Sequence, residues 1–279
     1  MPFKTIVTFV HDAERDKDAL LTAAAVADAN EAHLTAVCLG LDRTNPGAYY
    51  AGANAIILQE TLKAAQEAAA ATEASVDAIL NVWNCPSDTV AITAQIGAMA
   101  PVIGDRAVLS DLVVLPKPYG EGRDVEDVAI TEAALFRTRV PLLIVPDGHQ
   151  NNITPERVVI AWNESPEALA AVRGAMDILR AAETVDVAII DPPQHGADRS
   201  DPGGALAEML SRHGVRADVS VLAKTMPRIS DVLARHCEDR NAGLLVMGAY
   251  GHSRLREAIL GGATRNMMEL SGIPMLMAH

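Results

Sequence analysis

An internal repeat is the feature that most restricts how these 279 residues can fold. Residues 4–10 (KTIVTFV) open one half and residues 157–163 (RVVIAWN) open the other. Each run is followed by a polar turn, an Ala-rich helical pattern and a second apolar run, at 33–41 (HLTAVCLGL) and 186–191 (DVAIID). Each half then carries an aliphatic run after a small turn, 110–115 (SDLVVL) and 242–247 (AGLLVM), and closes on a Pro-initiated run, 141–146 (PLLIVP) and 274–278 (PMLMA). Strands alternating with helical patterns define βαβ units and a parallel sheet. Their near-continuous aliphatic character fits strands covered on both faces. With only 3% aromatic residues, the core must be aliphatic. Two domains are therefore expected, 1–148 and 149–279, joined by the punctuated segment 147–155 (DGHQNNITP). The first half is the longer, and its excess falls in residues 42–54 and in an Ala-rich helical pattern at 55–81, read as a cover helix. A polar Gly/Pro-rich loop at 191–204 is a candidate to lie over a ligand.

Charge and cysteine usage remove several function classes. A net charge of -13 argues against a broad nucleic-acid or anionic-membrane surface, though not against one small anion pocket. Cys38, Cys85 and Cys237 form no CxxC pair, so each reads as a small buried apolar residue rather than a disulfide or zinc ligand. The start MPFKTIVTFV lacks the long apolar segment of a signal peptide, and no apolar run reaches the roughly 18 residues of a membrane span. A cytoplasmic protein is the expectation.

The stretch 244–266 (LLVMGAYGHSRLREAILGGATRN) carries the chemistry. An aliphatic strand ends at Gly248; Gly251 follows, and then, after nine residues, Gly261 and Gly262 open a helical pattern with Ala263 and Thr264. Glycines at a strand end allow positive φ and close approach of a ligand. A helix start offers free N–H groups and the positive end of the dipole to an anion. The alternative is that these glycines only punctuate turns.

Gly248-x2-Gly251-x9-Gly261, between an aliphatic strand and a Pro-initiated one, resembles the nucleotide-binding signature of the universal stress protein (UspA) superfamily. With two copies of the framework, the chain is similar to the tandem members. The resemblance implies an α/β fold of two tandem domains, each a five-stranded parallel sheet of order 3-2-1-4-5 with helices on both faces. It also implies ATP or ADP as ligand, with Mg2+ only if the nucleotide carries it. Carried over, Met247, Gly248, Gly251 and His252 line the ribose and phosphates, Gly261, Gly262, Ala263 and Thr264 form the phosphate cradle, and Ala161 and Asn163 lie at the adenine. Two positions depart from the family. Gly262 stands where a Ser or Thr follows the third glycine, so one hydroxyl is missing, and Asn163 stands where nucleotide binders often carry Asp. Ser165 reads instead as a helix cap, with Glu167 in the first turn.

In the first half, Pro116–Tyr119 replace the strand-end glycines, and counting back from Pro141 puts Val128 at the Gly261 position and Ala129 at that of Gly262. Proline lacks a donor and valine forbids close approach, so this half keeps the fold without the site. His11 and Asp12, at its first strand's end, offer either a different polar pocket or a solvated turn. The eight histidines show no HxH or HExxH spacing, and there is no GxSxG, Walker or GxGxxG motif. No catalytic residue or metal site can be named, and at most slow hydrolysis of bound ATP is expected. The leading expectation is an ATP/ADP-binding regulatory protein of the stress-response class, with one competent site in the second half. The alternative is a nucleotide-free scaffold or interaction module. The closing strands, apolar edges otherwise unpaired, are expected to pair antiparallel as an intramolecular pseudo-dimer, open to a further homodimer.

Overall fold

The computed structural model describes residues 3–43, 54–149, 155–192, 201–249 and 262–279, with backbone alone for 54–58. The chain divides into two compact units: a first of Phe3–Pro116 and Gly122–Val140, and a second of Lys117–Glu121 and Pro141–His279.

In the first unit β1 (Thr5–Val10), α1 (Lys17–Asn30), β2 (His33–Asp42), α2 (Asn54–Leu80), β3 (Ser87–Gln95), α3 (Met99–Ala107), β4 (Leu112–Pro116) and α4 (Val125–Thr138) alternate as the repeat requires. The sheet order is β3-β2-β1-β4, all parallel. Ile6, Phe9, Leu34, Leu112 and Leu115 are almost wholly buried, which is why these strands read as unbroken aliphatic runs. At Gly40 the α2 helix comes so close that a Cβ would lie 1.9 Å from the Ala65 carbonyl oxygen. Only glycine fits there.

The second unit begins its sheet with β5 (Leu142–Val145), then runs β6 (Arg157–Ala161), α5 (Pro166–Gly174), α6 (Met176–Ala181), β7 (Thr184–Ile190), α7 (Gly204–Arg212), β8 (Ala217–Leu222), α8 (Ile229–Asp239), β9 (Leu244–Gly248), α9 (Ala263–Leu270) and β10 (Met275–Ala278). Its order is β5-β10-β9-β6-β7-β8. The strands of the second half alone therefore run 3-2-1-4-5, as expected from the resemblance. The closing strands of the two halves pair antiparallel, Leu142 with Met277, Leu143 with Leu276 and Ile144 with Met275. Neither is left as an open apolar edge. Residues just after β4 belong to this unit: Lys117 donates through its backbone to the Val145 carbonyl (2.8 Å), and the Arg265 guanidinium lies 5.2 Å from the Tyr119 ring centre.

The outer strands β3 and β8 carry no aliphatic run. Ala94 is the one buried residue of β3 and β8 has none, so neither strand needs an apolar run and the repeat does not announce them. The free cysteines are all buried. Burial first, and the carboxylates of Glu73 and Asp77 second, push the Cys38 thiol up to about 12; burial with Asp186 and Glu238 does the same to Cys237. Both therefore stay protonated and inert at neutral pH.

A polar cluster fastens α8 to the sheet. The carboxylate of Asp186 (β7), 8% exposed, accepts from the Ser220 hydroxyl at 2.7 Å, meets His236 of α8, and lies 3.3 Å from Arg240. The histidine is thus buried against a carboxylate rather than spread over the surface, a role its sequence neighbours do not signal. Asp186→Ala leaves these donors without their acceptor and is expected to cost about 1–3 kcal/mol. Urea unfolding followed through Trp162, which reports on this unit, checks it.

Candidate functional site

In a doubly wound sheet the strand order reverses between its first and fourth strands, and the loops leave a crevice beyond the strands' carboxyl ends. In the second unit that point falls between β6 and β9. A cleft of about 230 Å³ opens there. Its floor is Ala161, in register with Met247 on one side and Ala188 on the other, followed by Gly248. Ile190, Ile229 and Leu233 give it an apolar lining, and Ala263 and Thr264 of the first turn of α9 also line it. Trp162, Asn163 and Ser165 border it where the chain leaves β6.

The residues expected from sequence at Ala161, Asn163, Met247, Gly248, Ala263 and Thr264 therefore meet around one opening. Gly262 is the N-cap of α9, with φ −61° and ψ 147°. Gly251, His252 and Gly261 lie outside the described residues. The cleft adds what sequence reasoning missed. Its apolar wall comes from Ala188, Ile190, Ile229 and Leu233, which carry no motif and are ordinary core residues until β7 and α8 bring them to this edge.

Neither Gly248 nor Gly262 has positive φ. Gly248 is needed for a different reason. A Cβ on Gly248 would lie 2.5 Å from the Ala168 nitrogen and 2.8 Å from the Glu167 carbonyl carbon. Glycine lets the N-terminus of α5 press against the end of β9 and leaves the opposite side of that backbone to the cleft. Ser165 caps α5 as expected, its hydroxyl accepting from the Ala168 N–H at 3.1 Å.

Among the described residues no side chain caps the start of α9, and no acidic residue lies in its first turn. The N–H groups and dipole of a helix end of this kind attract an anion.

The first unit has the opposite chemistry at the same place. The opening between the ends of β1 and β4 has shrunk to about 10 Å³, between Phe9, His11, Leu115, Pro116 and residues of α4. The helix start there is filled by a capping box: Asp124 is the N-cap, and the Asp127 carboxylate accepts from the Asp124 N–H at 2.7 Å. Arg123, its side chain 1% exposed, donates to Asp16 at 2.9 Å and lies 3.6 Å from Asp127. His11 sits between the same carboxylates, 3.1 Å from Asp16 and 3.5 Å from Asp127, and Arg15 lies 3.6 Å from Asp127. Burial raises the Asp16 carboxyl, but the hydrogen bonds and charge of His11, with Arg123 beside it, hold it below the usual carboxylate range overall. His11, Asp16 and Asp127 have metal-ligand spacing. The two guanidiniums balance the two buried carboxylates in charge, so the group is an ion network, one in which Asp127 Oδ1 is held by ion-pair contacts at 3.5–3.6 Å and makes no hydrogen bond. His11 is drawn into it, while Asp12 stays in an exposed turn, its Oδ1 accepting from the N–H groups of Glu14 and Arg15 at 3.1 Å.

The helix bounds also correct the alignment of the halves. The α4 helix has 14 residues and α9 has 8, so counting back from the closing proline stops short of the helix start. Asp124 is the N-cap that matches Gly262, while Val128 lies inside α4. A carboxylate at the helix start, rather than a valine, occupies the cradle of the first half. Elsewhere in this unit a groove of about 360 Å³ runs between β2 and α2 over Leu39, Leu41 and alanines. Its Arg43 is tied to buried Glu126 at 3.0 Å, which leaves little positive charge for a phosphate.

At its switch point this parallel α/β domain brings together a helix start with no acid in its first turn and an apolar lining. Comparison with known proteins gives a matching family. Residues 155–279 match the model of the universal stress protein family. A universal stress protein of Synechocystis is 27% identical over 145 residues, 49% of this chain, and the match spans about half (46%) of that protein's length. The structure of a universal stress protein from Archaeoglobus fulgidus superposes with a TM-score of 0.70 at 14% identity, over 98% of this chain and 94% of that one. A second such protein, from Pseudomonas aeruginosa, gives 0.56 at 13% identity over 98% and 92%. At these identities the likeness is one of fold, and it extends through both halves. No helix among the described residues is long and apolar enough to cross a membrane.

Proposed function

We propose that the second unit binds a purine nucleotide, ATP or ADP in the first instance, in the cleft between β6 and β9, and that the first unit binds none. The observation that carries this reading is the contrast between the two helix starts. Gly262 leaves α9 uncapped above an opening of about 230 Å³, whereas Asp124, Asp127 and Arg123 fill the start of α4 over about 10 Å³. The phosphates rest on backbone N–H groups at Gly262, Ala263 and Thr264, and the base lies on Ile190, Ile229 and Leu233. The nucleotide then acts as a regulatory ligand, its binding altering a surface that partners read.

Calorimetric titration with ATP and with ADP tests the proposal. One site per chain is expected, with a change in Trp162 fluorescence and hydrogen-exchange protection confined to the second half. Two sites, or protection around α4, would overturn the asymmetry. No heat and no fluorescence change would leave the nucleotide-free scaffold as the better reading, with the missing hydroxyl at Gly262 as its reason.

A further inference from the structure

The amide of Asn163 is held in one orientation by its own turn. Its Oδ1 accepts from the Ser165 N–H at 3.2 Å, across Glu164, which takes the left-handed conformation with φ 61°. The opposite orientation would set an NH2 group against an N–H, so the hydrogen-bonding partner fixes which atom points outward. The outward atom is Nδ2, and no described residue accepts from it. Asn163 borders the cleft at the end of β6, between β9 on one side and β7, which carries part of the apolar wall, on the other. It therefore faces a bound ligand as a hydrogen-bond donor, with its acceptor already engaged.

We infer that Asn163 sets base specificity in this cleft, favouring nucleotides whose base presents a hydrogen-bond acceptor to it, the 6-oxopurines, over adenine with its 6-amino donor. This rests on the nucleotide reading above. A 6-oxopurine offers the carbonyl O6 and the ring N7 side by side, and both can take protons from Nδ2. Adenine offers N7 beside an amine, and that amine meets an NH2 group or must share Oδ1 with the Ser165 N–H already bonded to it. A site that holds one oriented polar group discriminates against the ligand that cannot pair with it. Aspartate at this position has no donor at neutral pH, and its second oxygen would accept the 6-amino group. One residue thus inverts the preference.

The test uses the full chain and two nucleotides that differ at position 6 and in the proton on N1, inosine triphosphate (ITP) and ATP, titrated into the parent protein and into Asn163→Asp. The parent is expected to bind ITP about fivefold more tightly than ATP, the size set by one neutral hydrogen bond. Asn163→Asp is expected to reverse the order by a similar factor. The new charge near the phosphates weakens both ligands, but it weakens them alike, so the ratio of the two affinities is the readout. Asn163→Ala, which neither donates nor accepts, should bring that ratio close to one and guards against misreading the charge effect. Equal affinities for ITP and ATP in the parent, or a ratio that Asn163→Asp leaves unchanged, overturn the inference while the nucleotide site stands. Failure of the parent to bind either nucleotide removes the site itself and the inference with it.

Discussion

Replacing Arg123 by alanine is expected to destabilise the first unit by about 3–5 kcal/mol, the usual cost of removing one partner from a buried ion pair. The guanidinium is 1% exposed and meets Asp16 and Asp127, whose side chains are exposed by only 1% and 2%. Without it, His11 and Arg15 face two carboxylates that water cannot reach. The same cluster gives the first unit an acid limit. The Asp16 carboxyl is held below its unfolded value, so its contribution is fully present above that value, roughly pH 4. It is lost as the pH falls below that and through the folded value, because the proton then binds the unfolded chain more readily. Hydrogen exchange at β1 and α4 between pH 5 and pH 3 should show protection declining there before it declines in the second unit. Because two compact units need not melt together, local exchange is a better measure than one melting temperature. Exchange at α4 unchanged by Arg123→Ala would show that the network adds no stability.

Gly248→Val is expected to abolish nucleotide binding and to destabilise the second unit by about 3 kcal/mol or more, at or beyond the upper end of ordinary overpacking. The reason is the 2.5 Å approach of its Cβ position to backbone atoms of α5, which cannot rotate away as a side chain can. Relief requires β9 and α5 to separate, and β9 carries Met247 and Gly248 into the cleft floor. Circular dichroism with calorimetry checks both effects. A variant that keeps the parent's stability and still binds ATP would show that Gly248 is neither a packing contact nor part of the site.

The duplication, the parallel α/β plan, the buried aliphatic strands and the uncapped Gly262 start were all legible in the chain. Each depends on local pattern: runs of Val, Ile and Leu covered on both faces, a Pro before each closing strand, and a glycine pair before an amphipathic stretch. The capping box of Asp124 and Asp127 was legible too, as acids three residues apart ahead of an apolar pattern. Counting from the far end of a helix of unknown length hid it.

Tertiary structure decided the rest, because the deciding contacts join residues distant in sequence. Arg123 reaches Asp16 across 107 residues, and His236 reaches Asp186 across 50. Nothing in the neighbours of either partner marks it as buried. Whether the switch point of each half is open or closed turns on which charges fold into it. Two halves with the same strand order thus end with a cleft in one and an ion network in the other. The sheet sets where a ligand can bind; the side chains that close over the strand ends determine whether there is room.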